Sequence, residues 1–212
     1  VGPDTYLLEV QDISRQFEFI QELQSQGLIE WGEPDFKMDL VKLEDPLYSD
    51  QWHLNNTGGS IDGFPLVEDN DIDAPEAWTI STGNSSVVVA VIDDGVEEHQ
   101  DMNTLLTGFT PANNGDGTPD SNGDHGQACA GLIGALHNDI DARGVAPQSS
   151  FFSINIFVSN TSNADVATGV RWAAEQGGAH ITSNSWGYST CQDRAVEAVA
   201  EAFDWAAVNG RG

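Results

Sequence analysis

The segment "SSVVVAVIDDGVEEHQDM", residues 85–102, decides the fold because it places a buried strand directly before two carboxylates. Residues 87–92 are six apolar residues without polar alternation, a pattern typical of a strand covered on both faces in a parallel sheet. Asp93 and Asp94 follow, and Gly95 ends the strand. Because ligands bind at the carboxyl ends of strands in open α/β sheets, Asp93 is well placed for chemistry, although a turn-forming aspartate fits this segment equally well.

Segments with strand and helix patterns alternate along the chain from residue 71 onwards. We predict strands at residues 86–92, 151–158 and 179–184 and helices at residues 125–137, 164–176 and 193–208. A loop rich in Gly, Asn, Asp and Pro, residues 110–124, separates the first strand from the first helix. This alternation predicts an α/β fold with a doubly wound, mostly parallel sheet.

The first 44 residues have a different character. Residues 5–10 and residues 28–31 have the composition of short strands, and the segment between them carries apolar residues at helical spacing. Ser14 is positioned to cap this helix and Gly27 to end it. We therefore expect a small α+β segment of β-α-β order at the start of the chain.

The composition restricts the classes of partner. The chain has 34 acidic and 7 basic residues and a formal net charge of -27, and Lys37 and Lys42 are its only lysines. Nucleic acid is disfavoured as a partner because its phosphates need basic side chains, whereas cations and basic peptides are attracted. No segment of the sequence has the apolar length of a membrane span.

A second decisive segment is "NGDHGQACAGLIGAL", residues 122–136. His125 stands at the start of a predicted helix whose small residues allow close packing against a neighbouring element. A lone histidine in this position is usually a surface residue, but here it follows a buried strand that ends in Asp93. An imidazole beside a carboxylate is held in one tautomer and stabilised when it takes a proton, which is the task of a general base.

These two segments resemble the motifs of the subtilisin-like serine proteases, and most closely those of the kexin and furin-like branch. The Asp motif of that family is similar to "AVIDDGVEEHQDM", and its His motif is similar to "HGQACAG". The resemblance covers most of residues 45–212. It implies a serine endopeptidase with an Asp-His-Ser triad, in which Asp93 is the acid and His125 is the base.

The same resemblance implies a substrate-binding edge. The segment "ITSNSWG" is similar to the family segment whose backbone pairs with an extended substrate, so Ser185, Trp186 and Gly187 are expected to offer main-chain groups. Asp94 falls where kexin-like members place an acid near the substrate. Asp94 and the charge of -27 favour basic substrates. Thr190, however, stands where furin-like members have a pocket acid, so we expect loose rather than dibasic cleavage.

Two parts of the catalytic machinery do not occur in these 212 residues. They are the nucleophile motif G-T-S-x-A and the Gly-Asn segment that supplies an oxyanion-hole amide. Both lie later in the chains of the family. We therefore predict that the full-length protein is the enzyme and that the 212 residues alone are inactive. Gln127 is a further departure, because the family usually has Thr at this position.

The resemblance also divides the chain into two parts. The segment "GLIEWGEPDF" is similar to the end of the propeptides that chaperone and inhibit subtilases. Residues 1–44 are then the C-terminal half of a propeptide, and residues 45–212 are the N-terminal part of a catalytic domain. The implied partners are protein or peptide substrates and the protein's own propeptide. Such a zymogen is expected to be secreted, with a signal peptide outside these residues.

A calcium site is implied as well. The segment "ALHNDIDARGVAP", residues 135–147, aligns without a gap with the calcium loop of subtilisin. Calcium takes about six to eight oxygen ligands and mixes carboxylates, carbonyls and amides. The expected ligands are the carboxylates of Asp45 and Asp101, the side chain of Asn138, and the carbonyl oxygens of Leu136, Ile140 and Ala142. The loop that contains Asp116 and Asp120 is a second candidate, although its residues also form ordinary turns.

Two other functions remain open on the sequence. Asp93 and Asp94 could bind magnesium for phosphoryl transfer, as in response-regulator-like domains, but the lysine that completes such sites has no counterpart after Lys42. A degenerate subtilase that lacks the serine would instead be a non-catalytic, calcium-dependent peptide-binding module. The sequence beyond Gly212 distinguishes this module from a protease.

Overall fold

A computed structural model describes residues 6–9, 11–34, 45–120, 123–188 and 196–211. The chain divides into two compact units, Val1–Lys42 and Leu43–Gly212. The division lies close to the predicted boundary after residue 44. The interpretation of the first unit as half of a propeptide stays a prediction.

The described part of the first unit contains helix α1 (Gln16–Ser25), which follows a 3-10 turn at Ile13–Arg15. The chain leaves the helix through Gly27, whose φ of 69° is easily adopted by glycine, as predicted. The predicted cap at Ser14 is wrong. The Ser14 hydroxyl donates to Asp12 Oδ1 at 2.6 Å, and the helix begins two residues later.

The strands predicted on either side of α1 are also wrong. Residues 6–9 and 28–31 are described, and neither segment is in a strand. A short apolar segment forms a strand only where a partner satisfies its backbone groups, and composition alone does not supply that partner.

The second unit is built on a three-stranded parallel sheet. Its strands are β3 (Val88–Asp93), β4 (Ser150–Asn155) and β5 (Ile181–Ser183), in the spatial order β4-β3-β5. The central strand β3 pairs with β4 along its whole length and with β5 from Val89 to Val91. A central position explains the continuous apolar pattern of residues 87–92, because both faces of this strand are covered.

A short antiparallel hairpin precedes the sheet. It consists of β1 (Gly59–Ile61) and β2 (Phe64–Leu66), joined through Asp62 and Gly63. Both turn residues have positive φ, 50° and 83°, which is the geometry of a two-residue hairpin turn. This hairpin was not among the predicted elements.

Helices cover both faces of the sheet. The helices described in this unit are α2 (Ala74–Trp78), α3 (His125–Gly134), α4 (Asn163–Glu175) and α5 (Glu197–Asn209). Ala90 and Ile92 of β3 lie in a core cluster with α4 and α5, whereas Val91 lies in a separate cluster with Ala130 of α3. Because successive side chains of a strand point to opposite faces, α3 lies on one face and α4 and α5 on the other. The predicted α/β, doubly wound, mostly parallel sheet is confirmed.

The order of the strands locates the functional end of this sheet. The chain passes from β3 through α3 to β4 on one side and then returns through α4 to β5 on the other side of β3. Ligand crevices in such sheets form at the carboxyl ends of the strands where this reversal occurs. Asp93 ends β3 at that point. Among the described segments, no helix has both the length and the apolar composition needed to cross a membrane.

Candidate active site

Strand β3 delivers a buried carboxylate to the edge of the sheet. Asp93 is the last residue of the strand and only 2% exposed. Its Oδ1 accepts a hydrogen bond from the backbone N–H of Asp94 at 2.8 Å. Its Oδ2 is buried and has no hydrogen-bond partner among the described residues. A buried charged group of this kind is costly unless it is paired, which directs attention to its neighbours.

Helix α3 brings an imidazole onto this carboxylate. His125 is the first residue of α3, and its Nδ1 lies 2.8 Å from Asp93 Oδ1. The His125 side chain is 55% exposed, so the ring joins a buried acid to the solvent. The hydrogen bond to Asp93 and then the charge of Asp93 raise the pKa of His125, with smaller contributions from Asp94 and Asp124. The structure therefore brings together the two residues predicted to be the triad acid and base.

The close approach of α3 to β3 depends on a glycine. A Cβ on Gly126 would lie 2.5 Å from the carbonyl oxygen of Gly95 and 3.0 Å from Asp93 Cβ, both closer than normal contact. A Cβ on Gly131, in the same helix, would meet no atom of its surroundings within 4 Å, so a methyl group has room there. The Gly that follows the histidine is thus required for the close packing of α3 against β3.

Replacing Gly126 by Ala is expected to push α3 away from β3 and to destabilise the fold by about 1–3 kcal/mol, the usual cost of overpacking. Gly131→Ala is the matched control, since it should be neutral or stabilise the helix by about 0.5–1 kcal/mol. Urea unfolding of both variants measures the difference. Equal stability of the two variants would contradict the assigned contact.

Asp94 points its carboxylate at the beginning of α3. Its Oδ2 accepts from the backbone N–H of His125 at 3.2 Å, and its Oδ1 accepts from that of Gly126 at 2.6 Å. Gln127 makes a second contact between α3 and the loop after β3. Its Oε1 accepts from the backbone N–H of Glu97 at 2.9 Å. The side chain at the unusual position 127 therefore ties α3 to the loop after β3. The predicted contact of Asp94 with substrate stays a prediction.

Cys129 lies one helical turn after His125 on the same face of α3. Its Sγ is 4.0 Å from His125 Nδ1, and the side chain is half-buried against the core on that face of the sheet. The packing agrees with the interpretation of this cysteine as a small apolar residue.

The predicted substrate-binding edge follows β5. Ser185 and Gly187 are exposed, whereas the Trp186 ring packs against the core cluster that contains α4 and α5. Residues 184–188 follow β5 and lie outside the described strands, so the main-chain groups of Ser185, Trp186 and Gly187 are not part of the sheet pairing. Thr190, which was expected to affect specificity, lies outside the described residues.

The six predicted calcium ligands lie in one hydrogen-bonded region. The carbonyl oxygen of Asp101 accepts from the backbone N–H of Leu136 at 2.8 Å, and its Oδ2 accepts from that of Ala142 at 3.2 Å. Asn138 donates its backbone N–H to Asp45 Oδ1 at 2.9 Å. Its own Oδ1 accepts from the backbone N–H of Ile140 at 3.0 Å. The loop of residues 136–142 is thus folded around the two acids.

Asp101 is the residue of this group that best fits a bound cation. It is 3% exposed, and its Oδ1 is buried without a hydrogen-bond partner among the described residues. Burial raises the pKa of Asp101, and the nearby charges of Asp141 and Asp45 raise it further. A cation at this oxygen would satisfy it and offset that repulsion, so the Asp101 carboxylate fits a calcium ligand. The other five predicted ligands stay predictions.

Asp45 already has protein partners. Burial alone would raise its pKa, but hydrogen bonds from Arg143 and from the backbone N–H groups of Asn138 and Asp139 lower it. Gln51 accepts from the Arg143 backbone N–H at 2.7 Å and donates to its carbonyl oxygen at 2.8 Å. The ion pair between Arg143 and Asp45 was not predicted from the sequence. The signal was an arginine, one of 7 basic residues in the chain, inside an acidic loop.

The second calcium candidate has the contacts of a turn. Asp116 Oδ1 accepts from the backbone N–H and the hydroxyl of Thr118, at 3.2 and 2.6 Å. The hydroxyl and then the backbone hydrogen bond of Thr118 lower the pKa of Asp116. Asp120 is exposed. These contacts account for the Asp-rich sequence through turn formation.

Comparison with known proteins matches this chain to one protein family and to several proteases. Residues 84–211, more than half of the chain, match the family described as "Subtilase family". A calcium-dependent protease from Nostoc sp. is 31% identical over 183 residues, which cover 81% of this chain and 25% of that protein. A dibasic-processing endoprotease from Schizosaccharomyces pombe is 28% identical over 174 residues, covering 79% of this chain and 23% of that protein. The chain therefore spans about a quarter of the length of these relatives.

A solved structure has a similar fold. The serine protease of Aeromonas sobria, determined in complex with a chaperone, superimposes with a TM-score of 0.64 at 22% sequence identity. The similar region covers 77% of this chain and 29% of that one. At this identity the likeness concerns the fold alone.

Proposed function

Because this chain belongs to the subtilase family, we propose that the whole protein is a serine endopeptidase in which Asp93 is the acid and His125 the base. The observation that carries the proposal is the 2.8 Å contact between Asp93 Oδ1 and His125 Nδ1 at the carboxyl end of the central strand. A buried acid that orients a half-exposed imidazole is the arrangement that a general base needs.

The reaction assigned to these residues is the attack of a serine hydroxyl on a peptide carbonyl. Asp93 accepts the Nδ1–H of His125, which leaves Nε2, on the opposite side of the ring, free to take the serine proton. His125 then gives this proton to the leaving amine, and a water molecule is activated in the same way to release the acyl group. Asp93 stabilises the imidazolium that forms in both steps. The serine itself belongs to the G-T-S-x-A motif expected beyond these residues.

We assign the substrate to the segment that follows β5. An extended peptide would pair through main-chain hydrogen bonds with Ser185, Trp186 and Gly187. The S. pombe relative is named for dibasic processing. For this chain we propose that cleavage is not restricted to dibasic sequences, because Thr190 stands where furin-like members have a pocket acid.

We also propose that the protein binds calcium between Asp101 and the loop of residues 136–142. The orphaned Asp101 Oδ1 supports this assignment, and one relative is named a calcium-dependent protease. The residues that would hold the ion are the predicted set of Asp45, Asp101, Leu136, Asn138, Ile140 and Ala142. Bound calcium would link the loop of residues 136–142 to Asp101, which lies in the loop that follows β3. The propeptide role of residues 1–44 and secretion stay predictions.

A serine-directed fluorophosphonate probe tests the proposed function. We expect the protein expressed with its downstream sequence to be labelled and to cleave casein, and we expect the 212 residues alone to do neither. The reason is that the probe reacts only with a serine activated by the acid and base. An extended protein that folds and binds peptides but shows no labelling would instead be the non-catalytic peptide-binding module.

A further inference from the structure

We propose that Asp94 is a positioning residue, which holds His125 against Asp93 by joining β3 to the first turn of α3. This inference rests on the proposed function. It differs from the expected role of Asp94 in substrate binding, because its contacts are with the catalytic pair itself.

Asp94 is bonded to both members of that pair. Its backbone N–H donates to Asp93 Oδ1 at 2.8 Å, the same oxygen that meets His125 Nδ1. Its carboxylate accepts the backbone N–H groups of His125 and Gly126 at 3.2 and 2.6 Å. One residue therefore fixes the acid through its main chain and the base through its side chain.

The beginning of α3 needs this outside partner. The first N–H groups of a helix have no acceptor within the helix, and a side chain at the N-cap position usually satisfies them. Asp124 occupies the N-cap position of α3 but makes no side-chain capping hydrogen bond. Asp94, which lies 31 residues earlier than His125, supplies the missing cap, and its negative charge suits the positive end of the helix dipole.

The contact also restricts what Asp94 does for a substrate. Both carboxylate oxygens already accept hydrogen bonds from α3. A basic substrate group that bound here would compete with the amides that hold His125 in place. Loss of Asp94 should therefore affect the chemical step with every peptide, rather than the binding of basic peptides alone.

The tautomer of His125 is the direct readout. Nitrogen chemical shifts of the imidazole distinguish the Nδ1–H form, which donates to Asp93, from the Nε2–H form. We expect the 212-residue chain to hold neutral His125 in the Nδ1–H form. Asp94→Ala should shift it to a mixture of the two forms, and Asp94→Asn, which keeps one acceptor oxygen, should give an intermediate mixture. Asp124→Ala and Asp124→Asn are the matched controls, because they remove the same charge nearby without removing a hydrogen bond to α3.

Unchanged tautomer populations in folded Asp94→Ala, relative to Asp124→Ala, would overturn the proposal. If circular dichroism shows that the alanine variant does not fold, the Asp94→Asn variant is compared instead. Tautomer populations equal to those of Asp124→Asn would then overturn the proposal.

In the extended protein, Asp94→Ala should lower kcat by about 10- to 100-fold, the usual cost of a misplaced catalytic group, for neutral and basic peptides alike. A higher KM confined to basic peptides would also overturn it. An extended wild-type protein without activity would refute the proposed function and leave the tautomer measurement to decide the role of Asp94.

Discussion

In the protein extended through its downstream sequence, Asp93→Asn is expected to lower kcat by about 10⁴-fold, the size of the effect at the corresponding acid of an unrelated serine protease. Asn keeps the size of the side chain, but it has no negative charge, and one of the two acceptor oxygens is replaced by an NH2 group that donates. The imidazole then loses both the correct tautomer and the stabilisation of its protonated form. His125→Ala removes the base itself and should reduce kcat by a similar factor.

The pH dependence gives an independent check on the same pair. The base must be unprotonated to accept the serine proton, so kcat/KM of the free enzyme rises as pH increases through the pKa of His125. The hydrogen bond to Asp93 and its charge raise this pKa above the ordinary 6.5. The acidic limb of the wild-type profile should therefore lie above pH 6.5. In Asp93→Asn the limb should move to lower pH, because the main cause of the shift has been removed.

Asp204→Asn is a suitable control, since Asp204 is exposed on α5 and the substitution removes the same charge. Its kcat and pH profile should match those of the wild type. Peptide binding, measured with an uncleaved inhibitor, should be largely retained in Asp93→Asn because the segment proposed to bind substrate, residues 185–187, does not include Asp93. Equal cleavage rates for the wild type and the Asp93 or His125 variants would refute the triad assignment.

The acid and base could be predicted because each is tied to a strong local pattern. Asp93 ends a continuous apolar strand, and His125 opens a helix of small residues, so the fold class and the meeting of the two side chains followed from these patterns together with the family resemblance. The contacts of Asp94 could not be predicted in this way. They join residues that are 31 positions apart, and only the packing of α3 against β3, permitted by Gly126, determines which acid caps the helix.

The errors fell where a pattern was short. Three of the four residues 28–31 are apolar, and the segment follows a glycine, but it has too few positions for its period to separate strand from loop. The hairpin β1–β2 was missed although its short turn has a recognisable sequence. Asp62 and Gly63 form the Asp-Gly pair that marks a two-residue hairpin turn, so a search for this dipeptide would have found it.

Calcium is expected to raise the thermal stability of this chain through Asp101. An ion that binds only the native state stabilises it by about 2.7 kcal/mol when the ion is in hundredfold excess over its Kd. For a chain of this size about 1 kcal/mol shifts Tm by roughly 2–4 °C, so melts in calcium and in chelator should differ by about 5–10 °C. The buried Asp101 Oδ1, without a hydrogen-bond partner among the described residues, is the group that gains most from the ion.

Asp101→Ala should therefore abolish most of the difference between the two melts. The difference is the quantity to compare, because removal of Asp101 also breaks its hydrogen bond to the Ala142 backbone and lowers Tm under both conditions. Asp204→Ala, which removes an exposed acid on α5, should keep the full calcium effect and so excludes a general response to charge. Identical wild-type melts in calcium and chelator would refute the site. A full calcium effect in Asp101→Ala would refute the predicted ligand set. No other buried carboxylate oxygen of that set is without a partner among the described residues.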